Sequence, residues 1–191
     1  MHHFFAYMAR MRNIIRWSLM RNMFPENDQE HALQAAMIAH ALATIRNVRY
    51  GGHLDADRIT TLALYHDAGE VITGDLATPI KHFNPEVREA FDALESIARE
   101  RLLAMLPEDL RPAYTPYLRA DETGVAWAIV KAADRICAYL KCVEEIKAGN
   151  GEFTKARDAI LRDIERLEQP EVQDFMREFG PSFALSLDEL N

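Results

Sequence analysis

Val125-Ala-Trp-Ala-Ile-Val-Lys-Ala-Ala-Asp-Arg-Ile-Cys-Ala-Tyr-Leu140 is the stretch on which the fold turns. Its apolar residues recur with a helical period, not with the alternation of a strand. The spacing predicts a long helix over 123–148, stopped by Gly149-Asn150-Gly151. One residue disturbs its apolar face. Val130 lies four positions before Asp134, and Cys137 and Ala138 lie three and four after it, so all share one side. An ionised carboxylate is costly to bury there unless it is paired or bound to a metal. A salt bridge and a metal ligand both remain open.

The same period governs the chain on either side. Asn27-Asp28-Gln29-Glu30 has the form of a capping box and opens a helix to about Arg46, which Tyr50-Gly51-Gly52 breaks. Asp55 or Asp57 caps the next helix, which reaches Gly69 or Glu70. Residues 73–80 read as a loop. A helix over 85–105 ends before Pro107, and a short one near 108–118 is broken by Pro112 and Pro116. A charged amphipathic helix covers 152–167, and shorter pieces follow Pro170 and Ser186. Near the start, Phe4, Phe5, Met8, Met11 and Ile15 form the stripe of a helix that packs. No internal repeat or Ser/Gly/Pro-rich linker interrupts the pattern. The expectation is an all-α, single-domain helical array over 1–191.

Composition narrows the function. With 49% hydrophobic residues, 8 Gly and 8 Pro, the chain suits a packed core, not a collagen-like or disordered one. The formal net charge of −8 argues against polymeric nucleic acid as partner. No apolar run approaches the ~20 residues of a membrane span. Cys137 and Cys142 form no Cys-x-x-Cys motif, which suits buried thiols in a reducing, cytoplasmic setting. The first 25 residues hold Arg10, Arg12, Arg16 and Arg21 and no acidic residue. That bias could mimic a transit peptide, but the interleaved aromatics and methionines favour a packed segment.

Other polar groups also fall on apolar faces. His31 opens the face that continues through Ala35, Ile38, Leu42 and Ile45. His66 ends the face of Ile59, Leu62 and Ala63, with Glu70 one turn on and Asp67 adjacent, about 100° around the helix. Imidazole and carboxylate together suit a borderline divalent ion such as Mn²⁺, Co²⁺, Zn²⁺ or Fe²⁺. His2, His3, His40, His53 and His82 read as surface or loop residues.

The series His31, His66-Asp67, Asp134 resembles the H…HD…D signature of the HD phosphohydrolase superfamily. Arg16-Trp17, Asn27-x-x-Glu30-His31, Tyr65-His66-Asp67-Ala68-Gly69-Glu70 and Thr73-Gly74-Asp75-Leu76-Ala77-Thr78-Pro79 are similar to the bacterial YfbR-type 5′-deoxynucleotidases. So are Ala138-Tyr139-Leu140-Lys141-Cys142-x-Glu144-Glu145 and the tail Pro181-Ser182-Phe183-x-Leu185-Ser186-Leu187-Asp188-Glu189. Ala77 stands where proline is frequent in that group, which makes this loop less stiff.

The resemblance implies one divalent metal (Co, Mn, Zn or similar) on His31, His66, Asp67 and Asp134. It implies hydrolysis of deoxynucleoside 5′-monophosphates, with Glu70 as base or water-orienting group and Arg16 on the phosphate. Trp17 would wall the sugar, where it crowds a 2′-hydroxyl. Asp75, Leu76, Ala77 and Thr78 would hold the nucleotide beside His31, Asp67 and Asp134, and a homodimer would be the assembly. Lys81 is a second phosphate contact or a solvated lysine. Rival readings are dNTP triphosphohydrolysis, cyclic-nucleotide phosphodiesterase action and a catalytically silent nucleotide-binding module.

Overall fold

A computed structural model describes residues 1–81 and 83–190. The expectation for His82 lies outside these residues. Among the described residues every regular element is helical, and the one β contact is an isolated antiparallel bridge between Ile15 and Asn27. The helices are α1 (Phe4–Met8), α2 (Asp28–Tyr50), α3 (Ala56–Tyr65), α4 (Glu70–Thr73), α5 (Thr78–Lys81), α6 (Pro85–Ala104), α7 (Arg111–Leu118), α8 (Val125–Lys147), α9 (Thr154–Glu165) and α10 (Pro170–Glu178). Short 3₁₀ turns fill several joints.

α2 starts where its cap predicts. The Asn27 side chain accepts from the amides of Gln29 and Glu30, satisfying two donors that the first turn leaves free. It runs four residues past the expected Arg46 and ends at Gly51, whose φ of 65° suits a residue without Cβ. α8 matches its prediction closely. Ile129, Ala132, Ala133, Ile136 and Leu140 bury against Ala35, Ile38, Leu42 and Ile45 of α2 and Ile59, Leu62 and Ala63 of α3. Val172 and Phe175 of α10 close this core. A second, smaller core joins Phe4, Ala68, Leu102, Leu103, Leu106 and Leu118, with Tyr65 and Tyr114 packed on it.

Four expectations change. The N-terminal stripe is only half buried: Phe4 and Met11 lie inside, while Phe5 and Ile15 are exposed, because α1 is a single short turn and the chain bends after it. The helix expected to reach Gly69 or Glu70 stops at Tyr65, and residues 66–69 form tight turns before α4. The cause is visible at His66. Its Nδ1 lies 2.7 Å from the Ala63 carbonyl, the acceptor an unbroken helix would offer to the Asp67 amide. Bonds of three-residue span follow, from Ala68 N to Tyr65 O and from Glu70 N to Asp67 O. The expected loop 73–80 contains a helical turn, α5. Finally, α7 is unbroken: Pro112 sits in its first turn, where no amide is required, and Pro116 lies inside the helix near its end, where it removes one intrahelical bond without stopping it.

Candidate functional site

The site forms where the N-terminal segment, the start of α2, the 66–70 turn and the middle of α8 converge. His31 is held in the first turns of α2 and is buried, and His66 ends α3. Their rings stand 5.4 Å apart between centroids. From α8, Asp134 Oδ1 lies 3.2 Å from His31 Nε2 and 4.0 Å from His66 Nε2. One donor atom from each of His31, His66 and Asp134 falls within 4.8 Å of the others. Asp67 stands beside this group, its Oδ2 3.1 Å from His66 Nε2 and 3.7 Å from His31 Nε2.

The donor chemistry fits a divalent metal. His66 turns Nδ1 to a backbone carbonyl and leaves Nε2 buried without a hydrogen-bond partner. Pinning one ring nitrogen and freeing the other is how proteins prepare a histidine ligand. The ring nitrogens of His31 also lack aligned hydrogen bonds. Two imidazoles with carboxylate oxygen suit a borderline cation.

Arg16 enters from the opposite side. Its Nη1 is 2.9 Å from Asp67 Oδ2, 3.6 Å from Asp28 Oδ1 and 4.0 Å from Glu70 Oε2, and Nη2 is 3.9 Å from Asp134 Oδ1. Burial opposes its charge, but the surrounding carboxylates hold the guanidinium protonated. Glu70 Oε2 is buried without a hydrogen-bond partner. Burial, reinforced by Asp67 and Asp28, pushes its carboxyl up to about 11. Asp67 and Asp134 shift down: burial opposes ionisation, but His66 at Asp67 and Lys131 with His31 at Asp134 outweigh it.

A cavity of about 630 Å³ opens on these groups. Arg16, His66, Asp67, Glu70 and Asp134 line its floor, and Asp75, Leu76, Thr78 and Lys81 line one wall. Burial raises the pKa of Asp75. Lys81 donates to Glu95 Oε1 at 3.0 Å, so it is ion-paired at the cavity edge. Trp127 and Lys131 of α8 form the facing wall. Trp17, His31 and Ala77 lie outside the lining. The Trp17 ring packs 5.4 Å from Phe153, and its backbone adopts φ of 58°, a left-handed conformation costing roughly 1–2 kcal/mol for a residue with Cβ. The Ala77 carbonyl accepts the amides of Ile80 and Lys81 and so starts α5.

Three participants escaped the sequence reading: Glu26, Asp28 and Lys131. Asp28 is fully buried and neither carboxylate oxygen is hydrogen-bonded, although Oδ1 is ion-paired with Arg16. Burial drives its pKa up to about 7, against the pull of Arg16. It sits three residues before His31 on the same face, which was the available signal. Lys131 donates to Asp134 Oδ2 at 2.5 Å, from the preceding turn of α8.

This all-α arrangement, with histidines and carboxylates gathered inside it, is the fold of the HD-domain phosphohydrolases. An HD-domain phosphohydrolase from Listeria innocua superposes with a TM-score of 0.83 at 22% identity, covering 97% of this chain and 90% of that one. The cyanophage S-2L HD phosphohydrolase DatZ, solved with dA and one catalytic Zn²⁺, superposes with a TM-score of 0.63 at 20% identity, covering 93% of this chain and 95% of that one. Sequence narrows the class further. Residues 3–183 match the family described as YfbR-like 5′-deoxynucleotidase. A 5′-deoxynucleotidase YfbR of Salmonella paratyphi B is 50% identical over 194 aligned positions, covering 99% of this chain and 96% of its own. The chain belongs to the YfbR-like 5′-deoxynucleotidase family.

Proposed function

We propose that the cavity over His31, His66 and Asp134 is the active site of a metal-dependent 5′-deoxynucleotidase. It converts a deoxyribonucleoside 5′-monophosphate and water into deoxynucleoside and phosphate. The observation that carries this reading is a cavity floor lined by His66, Asp134, Arg16 and Glu70, with a ring nitrogen of His31 behind it within 4.8 Å of the donor atoms of His66 and Asp134. A divalent metal on His31, His66, Asp67 and Asp134 would polarise a phosphoryl oxygen and lower the pKa of a bound water.

The chain's own residues supply the rest. Arg16 presents two guanidinium nitrogens to the phosphate and stabilises charge building on it. Glu70 Oε2 accepts the proton of the attacking water. It acts in the ionised form, which a divalent cation held on the neighbouring ligands would favour. Water oxygen bonds to phosphorus, the P–O5′ bond breaks, the 5′-oxygen takes a proton from solvent, and Glu70 returns to solvent the proton it took from the attacking water. Asp75 and Thr78 fix the sugar and Leu76 shapes the nucleotide wall, with Ala77 behind it as the start of α5. Trp17, through its rigid turn beside Arg16, limits the space near C2′.

The unit of function is one HD-type domain over 1–191 acting in the cytoplasm. Among the described residues no helix is long and apolar enough to cross a membrane. Exposed Leu94 and Ile97 on α6, and Phe183 and Leu185 near the C-terminus, support a homodimer. The test is phosphate release from all deoxy- and ribonucleoside 5′-monophosphates, dNTPs and cyclic nucleotides, each with Mn²⁺, Co²⁺, Zn²⁺ and Mg²⁺. Preferential release from deoxynucleoside monophosphates with at least one ion is the expected result. Turnover confined to triphosphates or cyclic substrates, or none at all, would overturn the reading.

A further inference from the structure

No step of the hydrolysis uses Glu26, yet this residue meets three groups that are used. It lies in the turn before α2, and its side chain is 13% exposed. Oε1 stands 3.4 Å from His31 Nδ1. Oε2 accepts the indole Nε1–H of Trp17 at 3.0 Å and lies 4.0 Å from Arg16 Nε. The backbone carbonyl of Glu26 accepts the Arg16 amide at 3.0 Å. Cavity-lining Arg16, its neighbour Trp17 and one metal-facing histidine therefore meet at a single residue.

Each contact has a physical consequence. A carboxylate facing Nδ1 keeps a proton on that nitrogen, so that Nε2, the atom turned to Asp134 and Asp67, is the one that gives its lone pair when a metal takes the place of a proton there. The Trp17 contact opposes strain. A tryptophan at φ of 58° persists only where its surroundings over-determine it. Here the indole is fastened to Glu26 Oε2, and the Trp17 carbonyl accepts from Asn22. The Arg16 amide is fastened to Glu26 as well, which points the guanidinium into the cavity.

We propose that Glu26 is a positioning residue that couples the metal-binding and substrate-binding sides of the site. One carboxylate oxygen sets His31. The other, with the residue's own carbonyl, sets the Arg16–Trp17 turn. The substrate half rests on the nucleotidase reading above; the metal half does not.

The test uses the full chain; Trp127→Phe is added only for the emission measurements, so that Trp17 is the only tryptophan there, and Zn²⁺ affinity, turnover and KM are read with Trp127 in place. Glu26→Gln keeps an acceptor for Trp17 but turns an amide N–H toward His31 Nδ1, which favours the wrong tautomer. Its Zn²⁺ affinity, read by chelator competition without nucleotide, should fall about 10–100-fold, with Trp17 emission unchanged. Glu26→Ala removes both contacts. It should show the same loss of Zn²⁺ affinity, a red-shifted Trp17 emission and a higher KM for substrate.

Wild-type Zn²⁺ affinity in Glu26→Gln, with an unaltered melting curve, overturns the metal half. Unchanged Trp17 emission and KM in folded Glu26→Ala overturn the substrate half. Should Glu26→Ala not fold, a Glu26→Leu variant carries that measurement. A parent protein that binds Zn²⁺ but cleaves no nucleotide defeats the functional reading alone, and the Zn²⁺ arm still judges Glu26.

Discussion

Two clusters of buried charge lie close to α8 and differ in how completely they are satisfied. At the C-terminal end of the helix, Glu145 is fully buried and every oxygen is engaged. It accepts the amides of Met23 and Phe24, the Lys141 ammonium at 2.6 Å and the Asn150 amide at 2.8 Å. Lys141 also donates to the Phe24 carbonyl. Three turns earlier, around Asp134, the balance is reversed. Both oxygens of Asp28, Nε2 of His66, Nε2 of His31 and Oε2 of Glu70 lack hydrogen-bond partners. Buried polar groups in folded proteins are paired almost without exception. The first cluster is therefore a fastening. The second is a set of donors and acceptors kept for something that binds there.

The sharpest way to break this contrast is to remove a donor from the second cluster. Asp134→Ala or His66→Ala should lower phosphate release by roughly 10³-fold or more, since several kcal/mol of transition-state stabilisation goes with the metal. Helical content by circular dichroism should stay near the parent's, because the lost groups hold little of the fold. Retained turnover in metal-stripped Asp134→Ala would place the chemistry elsewhere. Arg16→Ala should reduce kcat by about 10²–10³-fold. Bound metal, measured by elemental analysis, should stay nearly constant. A proportional loss of metal and activity would instead make Arg16 part of the metal site.

The fastening should answer in stability. Glu145→Ala leaves Lys141 buried and two amides unmatched, at a cost of about 3 kcal/mol in denaturant unfolding. An effect near zero would erase the distinction between the clusters. The smallest effect is on acid stability. Burial works against Glu145 ionisation, but Lys141 and the Met23 and Phe24 amides outweigh it and hold the carboxyl near 2, against 4.5 for a free glutamate. The unfolded chain thus binds more protons between these values. The contribution of Glu145 is complete above about 4.5 and fades as pH falls through about 2. Titrating unfolding free energy across that window for the parent and Glu145→Gln should show a shallower slope in the variant.

Much of this was legible before any coordinates. The apolar period of α8 exposes Asp134 as an intruder, and the faces of α2 and α3 expose His31 and His66. A polar residue on a long apolar stripe carries its own signal. The remainder depended on contacts between distant segments. Asp28 looks like an acid placed favourably in a first helical turn, and only the approach of the N-terminal segment buries it. Lys141 and Glu145, four apart, have the spacing of a solvated surface pair. Their burial comes from residues 23–24 lying over them. The break at His66 arises when a side chain takes a backbone acceptor, which a periodic pattern does not register. The left-handed Trp17 was equally hidden, since no glycine or asparagine marks the turn.

The fastening of residues 23–24 to Glu145 also bears on how the protein is made. Those partners are separated by 121–122 positions, and Arg16 reaches Asp67 across 51. A nascent chain exposes its N-terminal arm long before α8 leaves the ribosome. The amides of Met23 and Phe24 have nothing to close against until most of the polypeptide has been synthesised. Pairings of such high sequence separation form slowly, because the chain between them must first be ordered. Catalytic competence is thereby a late event in biogenesis, tied to completion of the helix that the arm must find.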